Sequence, residues 1–256
     1  MDFGPLRANI DRWGSEFGFQ QVGITDVDLD EYTPQVREWL SRGLNGTMGY
    51  MAQNLDKRLH PELLETGTCR VISARMNYLP EGQPLKILDH PDRAYVSRYA
   101  LGRDYHKVLR RRLAHLAERI NDATVEFEGR YRAFTDSAPV LEKPLAEKAG
   151  LGWVGKHTLL LHPDAGSWFF LGEIYTNLPL PVDKARVCDQ CGNCRACITV
   201  CPTNAIIGNK QLDARRWISY LTIEHRGSIP EALRPQMGNR VFGCDDCQLV
   251  CPWNKF

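Results

Sequence analysis

The chain has 256 residues, enough for one large domain or two smaller ones, and 43% of them are hydrophobic, so a packed core rather than disorder is the default. The formal net charge of +1 neither requires nor forbids a nucleic-acid partner. No apolar run reaches bilayer-spanning length and MDFGPLRANIDRW lacks a signal-peptide layout, so no membrane association and a cytoplasmic, reducing location are expected.

In chain order, Leu6, Ile10, Trp13 and Phe17 are spaced 4, 3 and 4 apart and predict an amphipathic helix over Phe3–Phe17. A short strand over Phe19–Ile24 and a second helix over Pro34–Leu40, ended by Gly43, follow. Gly43–Met51 carries three glycines in seven residues and reads as a loop; Lys57 and Arg58 after it could close on an anion or be plain surface charges. Arg70–Tyr78 reads as a strand ending at Pro80, with Cys69 before it as a core thiol, and Pro80–Asp92 as a loop. The clearest helix is Asp104–Ile120, with Leu109, Leu113, Leu116 and Ile120 on one face and Asp104 at the N-cap position.

That helix lies in a stretch, Asp92–Arg119, holding eight Lys/Arg against three Asp/Glu, with Arg110, Arg111 and Arg112 at its middle. The run fits a solvated helix face or a phosphate-tracking surface. A strand over Arg130–Phe134 is followed by the turn TDSAP (Thr135–Pro139) and a helix through Leu141–Ala149. GLGWVGKHT (Gly150–Thr158) should interrupt regular structure and bring backbone N–H groups to a pocket. Thr158–Leu161 and Ser167–Ile174 read as strands joined through Pro163–Gly166, and LPLPVD (Leu178–Asp183) is the candidate domain boundary. The expected organisation is an α+β or α/β domain over residues 1–180 and a cysteine-rich unit over 181–256.

Cys191, Cys194, Cys197 and Cys201 follow C-x2-C-x2-C-x3-C-P, the bacterial ferredoxin spacing for iron–sulfur clusters. The last three of them and Pro202 recur as Cys244, Cys247, Cys251 and Pro252, the internal repeat of a two-cluster module. Zinc also accepts C-x2-C pairs but rarely uses this longer run. In such modules the fourth cysteine ligates the other cluster, which assigns Cys191, Cys194, Cys197 and Cys251 to one cluster. The other receives only Cys201, Cys244 and Cys247, because Val241 stands at the position matching Cys191. Two clusters beside a larger domain point to an electron-fed reductase.

Specific stretches resemble the epoxyqueuosine reductase family: YALGRDYHKVLRRRL (Tyr99–Leu113), TDSAPVLEK (Thr135–Lys143), GWVGKHTLL (Gly152–Leu160), GSWFFLGEI (Gly166–Ile174), ARRWISYLTIEHRG (Ala214–Gly227) and CDDCQLVCPWN (Cys244–Asn254). The resemblance implies a nitroreductase- and reductive-dehalogenase-like cobalamin domain followed by a ferredoxin-like domain with two 4Fe–4S clusters. It implies reduction of epoxyqueuosine to queuosine in a tRNA anticodon loop, with an external electron donor and a monomeric enzyme. Asp136 matches the family's proton donor, against a simple turn-forming role; Asp104 and His106, with Tyr105, would line the same pocket, although a cap and a structural histidine explain the first two equally. Gly155, Lys156 and Thr158 would hold the corrin side chains or nucleotide tail, Arg58, Arg98 and Ser167 would assist, and Trp153, Trp168 and Phe169 would wall the ring or serve as core.

The sequence departs from the family at Trp217, where relatives resemble ARRCISYLTIE and supply the missing fourth ligand. A perturbed second cluster, a non-cysteine ligand or recruitment of Cys188 would follow. The family usually continues beyond CPWN into a helical-repeat segment that helps to hold tRNA, so the resemblance implies a short member or a fragment. The competing readings are a reductive dehalogenase acting on a small organohalide and a non-catalytic iron–sulfur electron carrier.

Overall fold

A four-stranded sheet in the order Gln21–Thr25, Arg70–Asn77, Phe169–Thr176, Tyr131–Phe134 organises the first two thirds of the chain in the computed structural model, which describes residues 3–79, 82–183, 187–208 and 210–254. Every pairing in this sheet is antiparallel, so of the two expected classes the fold is α+β. The two central strands pair over their whole length, with Ile72 opposite Ile174 and Ser73 opposite Glu173. Period-two alternation then separates two faces. Ile72, Ala74, Met76 and Ile174 pack against the helices Gly4–Glu16 and Tyr105–Asp122, through Leu6, Ile10 and Trp13 from the first and Leu109, Leu113, Leu116 and Ile120 from the second. Gly172 permits this approach, since a Cβ there would stand 2.7 Å from Leu113 Cδ1. On the opposite face Val71 and Tyr175 pack with Leu29, Phe134, Val140 and Leu145, the last from the helix Glu142–Lys148.

Both long helices and all four sheet strands occur within a few residues of their expected bounds. The Pro80–Asp92 loop instead contains a helix, Pro84–Leu88, with proline in its first turn; Pro80 itself lies outside the described residues. Gly43–Met51 is mostly turn but closes with a 3-10 turn, Gly49–Met51. Gly150–Thr158 is not wholly irregular, because Trp153–Val154 pairs with Leu160–Leu161, and this small hairpin leaves the latter strand unpaired with Phe169–Thr176. Cys69 is half-buried rather than a core thiol: it sits at the end of its strand, where its N–H reaches Thr176 O at 3.0 Å.

The cysteine-rich segment is stitched to the rest. Asp183 of LPLPVD accepts from the Arg7 guanidinium at 2.8 Å and from Ile24 N–H at 2.8 Å. Arg240–Phe242 runs parallel to Tyr95–Val96, and the buried Asp245 carboxylate accepts from Tyr95 hydroxyl and Arg98 N–H, each at 2.7 Å, and from Ser97 hydroxyl. Gly166 lies at φ +59° against the C-terminal turn, where a Cβ would meet Asn254 Oδ1 at 1.9 Å; glycine alone lets Asn254 reach Ser167 N–H at 2.7 Å.

Candidate functional site

The first turn of the helix Tyr105–Asp122 faces the TDSAP turn that leaves the edge strand. Asp104 caps that helix by accepting from His106 N–H at 3.1 Å, as its position predicts. The same carboxylate also meets His106 Nδ1 at 3.0 Å, and His106 Nε2 lies 2.7 Å from Asp136 Oδ1. Tyr105 hydroxyl donates to the other Asp136 oxygen. Tyr105 is fixed from both sides, stacked on Phe170 with centroids 4.2 Å apart and on His106 at 4.0 Å. Asp104, His106 and Asp136, singled out from sequence, therefore form one hydrogen-bonded set, open to solvent on one side.

Beneath this set lie two carboxyls that sequence reading missed. Glu142, at the start of its helix, accepts from Asp136 N–H at 2.5 Å. Burial and then the Asp136 charge push its pKa up to about 8. Glu173, fully buried on the face of the sheet that carries Val71 and Tyr175, accepts from Ser73 hydroxyl at 3.3 Å, and its second oxygen has no partner. Its pKa lies well above the usual carboxylate range, from burial first and from Glu142 next. A lone Glu in the apolar strand sequence FFLGEIYT was the available signal. Burial and hydrogen bonding to Asp136 likewise raise Tyr105, whereas the hydrogen bond from His106 holds Asp104 below its ordinary value.

The facing wall comes from Lys143 and the Gly150–Thr158 stretch. Lys143 donates from Nζ to Thr158 O at 2.8 Å, with Thr158 at φ +67°. Surrounding protein lowers the Lys143 pKa, although solvent reaches the side chain. Arg58 is buried, donates to Tyr50 O at 3.2 Å, and keeps Nε unpartnered. Arg98 is buried with its guanidinium over the Trp168 ring, 5.7 Å from the centroid.

The remaining expected cofactor residues lie nearer the cysteines. Lys156 Nζ donates to Gly192 O and Cys194 O at 2.6 and 2.8 Å, clasping the first cysteine loop. Trp153 is buried edge-on to Trp253, and Gly155 sits in the tight turn where its N–H meets Leu159 O. Ser167 receives Gln248 Nε2 and Asn254 Nδ2, each at 3.0 Å, and serves the seam with the C-terminal turn. Phe169 packs into a core cluster with Ala146 and Leu151.

Cys191, Cys194, Cys197 and Cys251 line one cavity of about 250 Å³ with Lys156, His157 and Trp253. The cross-ligated set read from spacing is thus brought together. His157 is buried there; burial depresses its pKa to about 4, its Nδ1 accepts from Leu159 N–H at 3.2 Å, and Nε2 has no partner. Burial pushes the Cys197 thiol up to about 11, and Cys244 and Cys247 higher. Thiols so placed become thiolates only when metal supplies compensating charge. Four cysteines around one cavity, three of them from a run that zinc sites rarely use, suit a cluster better than zinc.

Residues 58–137 match the family described as "Epoxyqueuosine reductase QueG, DUF1730", and residues 190–254 match the "4Fe-4S double cluster binding domain". An epoxyqueuosine reductase of Pseudomonas aeruginosa is 58% identical over 256 residues, covering 100% of this chain and 70% of that protein. The chain belongs to the epoxyqueuosine reductase family. A crystal structure of epoxyqueuosine reductase with a tRNA-Tyr epoxyqueuosine-modified stem loop superposes with a TM-score of 0.87 at 29% identity, over 99% of this chain and 66% of that one. The catabolic reductive dehalogenase NpRdhA, with 3-bromo-4-hydroxybenzoic acid, shares the fold at a TM-score of 0.60 and 18% identity, over 100% of this chain and 32% of that one. The family resemblance read from motifs and the two-part fold class are borne out, and this family member carries the double-cluster domain. No described helix is long and apolar enough to cross a membrane.

Proposed function

We propose that this chain removes the epoxide oxygen of epoxyqueuosine in a tRNA anticodon loop to leave queuosine, using cobalamin fed by an iron–sulfur cluster. One chain of contacts carries the reading: Glu142 holds Asp136 N–H, its neighbour Lys143 reaches Thr158 O, and His157 beside Thr158 lines the four-cysteine cavity. Turning an epoxide into an alkene and water consumes two electrons and two protons, so both sources are needed at one cleft.

The residues fit a large polar cofactor. Arg58 is buried with an unpartnered Nε, and the Lys143 ammonium reaches the carbonyl of Thr158, whose backbone is left-handed. These three, with Arg98, would hold cobalamin, which when bound supplies the reducing equivalents to the carbon bearing the oxygen. Asp136 donates the proton to the departing oxygen, since an alkoxide leaves poorly at neutral pH. His106 and Tyr105 fix the two Asp136 oxygens, and Asp104 fixes the His106 ring. Glu142, held neutral by burial, stores a second proton one hydrogen bond from the Asp136 backbone.

The basic helix suits a tRNA partner. Arg103, Lys107, Arg110 and Arg111 are exposed, and Arg110 reaches Ser137 Oγ at 3.2 Å, beside Asp136. Arg112 instead turns inward to Gly18 O and Met76 Sδ and serves the fold.

The test is Asp136→Asn in protein reconstituted anaerobically with cobalamin, iron and sulfide. Conversion of epoxyqueuosine tRNA should fall by roughly 10²–10⁴-fold, with cobalamin still bound. Undiminished turnover would remove Asp136 as donor, and an absence of any product from the parent protein would remove the reaction itself.

A further inference from the structure

The two halves of the cysteine module are unequal in the fold as well as in the count. Cys191, Cys194, Cys197 and Cys251 ring one cavity. The helix Ala196–Val200, ended by Cys201, packs against the helix Asp246–Leu249, which carries Cys247 and begins two residues after Cys244, so the three remaining thiols of the module sit on two packed elements. Cys197, the other thiol near Cys247, lines the first cavity, and no further cysteine is placed with these three among the described residues. Cys188 is exposed and precedes the first site, and Cys69 sits at the far sheet beside Thr176. Val241, which the internal repeat sets opposite Cys191, is 54% exposed and apolar.

Other donors near this group are committed. Asp245 is held by Tyr95, Ser97 and Arg98 N–H. Asp246 is held by the Arg240 guanidinium, Nε at 2.7 Å and a second nitrogen closing the fork, and accepts from the Cys244 thiol at 2.9 Å. The Thr222 hydroxyl donates to Ile218 O at 2.8 Å and accepts Gly243 N–H at 3.0 Å. His225 is engaged between Tyr220 hydroxyl and Ser228 O. Trp217 is half-buried and, like Cys244, packs against the cluster of Met48, Ala214, Ile218 and Met237. Indole offers an N–H donor and no lone pair for iron.

The site therefore does not fit a cubane held by four protein ligands. We propose that it holds a three-cysteine iron–sulfur cluster on Cys201, Cys244 and Cys247, a three-iron form when oxidised. After one-electron reduction by an external low-potential reductant this form takes up one ferrous ion, at a corner ligated by solvent or a small thiol. One neutral three-iron cluster plus Fe²⁺ gives a dicationic four-iron cluster, so charge and electrons balance. The proposal rests on the iron–sulfur reading of the module and not on the tRNA reaction.

The test uses the full chain reconstituted anaerobically with ferrous iron and sulfide, then oxidised mildly and treated with a chelator. About seven irons per chain should remain, with an electron paramagnetic resonance signal of an oxidised three-iron cluster beside one four-iron cluster. Trp217→Cys should raise the count to about eight and erase the three-iron signal. Cys244→Ser should erase it too while sparing the four-iron cluster, and Cys188→Ser should change neither, so the proposal does not depend on one variant folding. Two chelator-resistant four-iron clusters in the parent chain, or a second site that takes no iron, would overturn it. A chain that binds no cluster at all would overturn the iron–sulfur reading as well, a result distinct from both.

Discussion

The two faces of the central sheet do opposite things with the same strands. On one, Ile72, Ala74, Met76 and Ile174 meet two helices in an apolar cluster, with Arg112 Nη1 on Met76 Sδ. On the other, Ser73 and Glu173 stand directly opposite each other beneath Glu142 and Asp136, and one Glu173 oxygen is buried without a partner. The first arrangement stabilises the fold. The second opposes it, because a buried carboxyl without full hydrogen bonding is destabilising relative to water. The contrast teaches that ionisable groups are carried here at the expense of stability, as a site that must hold protons at neutral pH requires.

The contrast can be broken most strongly on the apolar face. Leu113→Ala opens a cavity against Gly172 and should lower unfolding free energy by about 2–5 kcal/mol, read from urea denaturation. On the face that carries Glu173 the sign should reverse. Glu173→Gln removes the ionisable group, and at pH 8 it should be more stable than the parent by about 1–3 kcal/mol while losing turnover. Equal destabilisation by both substitutions would end the distinction.

Asp104→Ala comes next, with a loss of about 0.5–2 kcal/mol as the helix cap disappears, whereas Asp104→Asn should retain most of it. Thermal denaturation separates the two. The remaining prediction is read as a pH profile, that of Glu142. Its folded pKa is raised, so its contribution to stability is complete below about 4.5 and is lost as pH rises through about 8. Glu142→Gln should therefore gain on the parent in melting temperature across that window, and the decline of turnover above pH 8 should flatten. Parallel melting curves from pH 4.5 to 8 would show that Glu142 ionises freely in the fold.

Much of this was legible in one dimension. The spacing of Leu109, Leu113, Leu116 and Ile120 specified both the helix and the face it buries. The C-x2-C-x2-C-x3-C-P run and its echo assigned four cysteines that do share one cavity. Lys156 shows where reading by stretch fails: Thr158 nearby meets Lys143, yet the Lys156 ammonium turns to carbonyls of the cysteine loop. Glu142 and Glu173 were passed over because neither has a local pattern; their character comes from what surrounds them.

Local spacing, then, determined the long helices and picked out, through the run and its repeat, the four cysteines that share a cavity and the repeat position that lacks one. It did not determine which groups share a proton. Ser73 meets Glu173 only through strand register, and His106 meets Asp136 only because a helix start and a turn from the edge strand are packed together. Burial, the cause of the largest pKa shifts here, belongs to no residue until distant segments have closed around it.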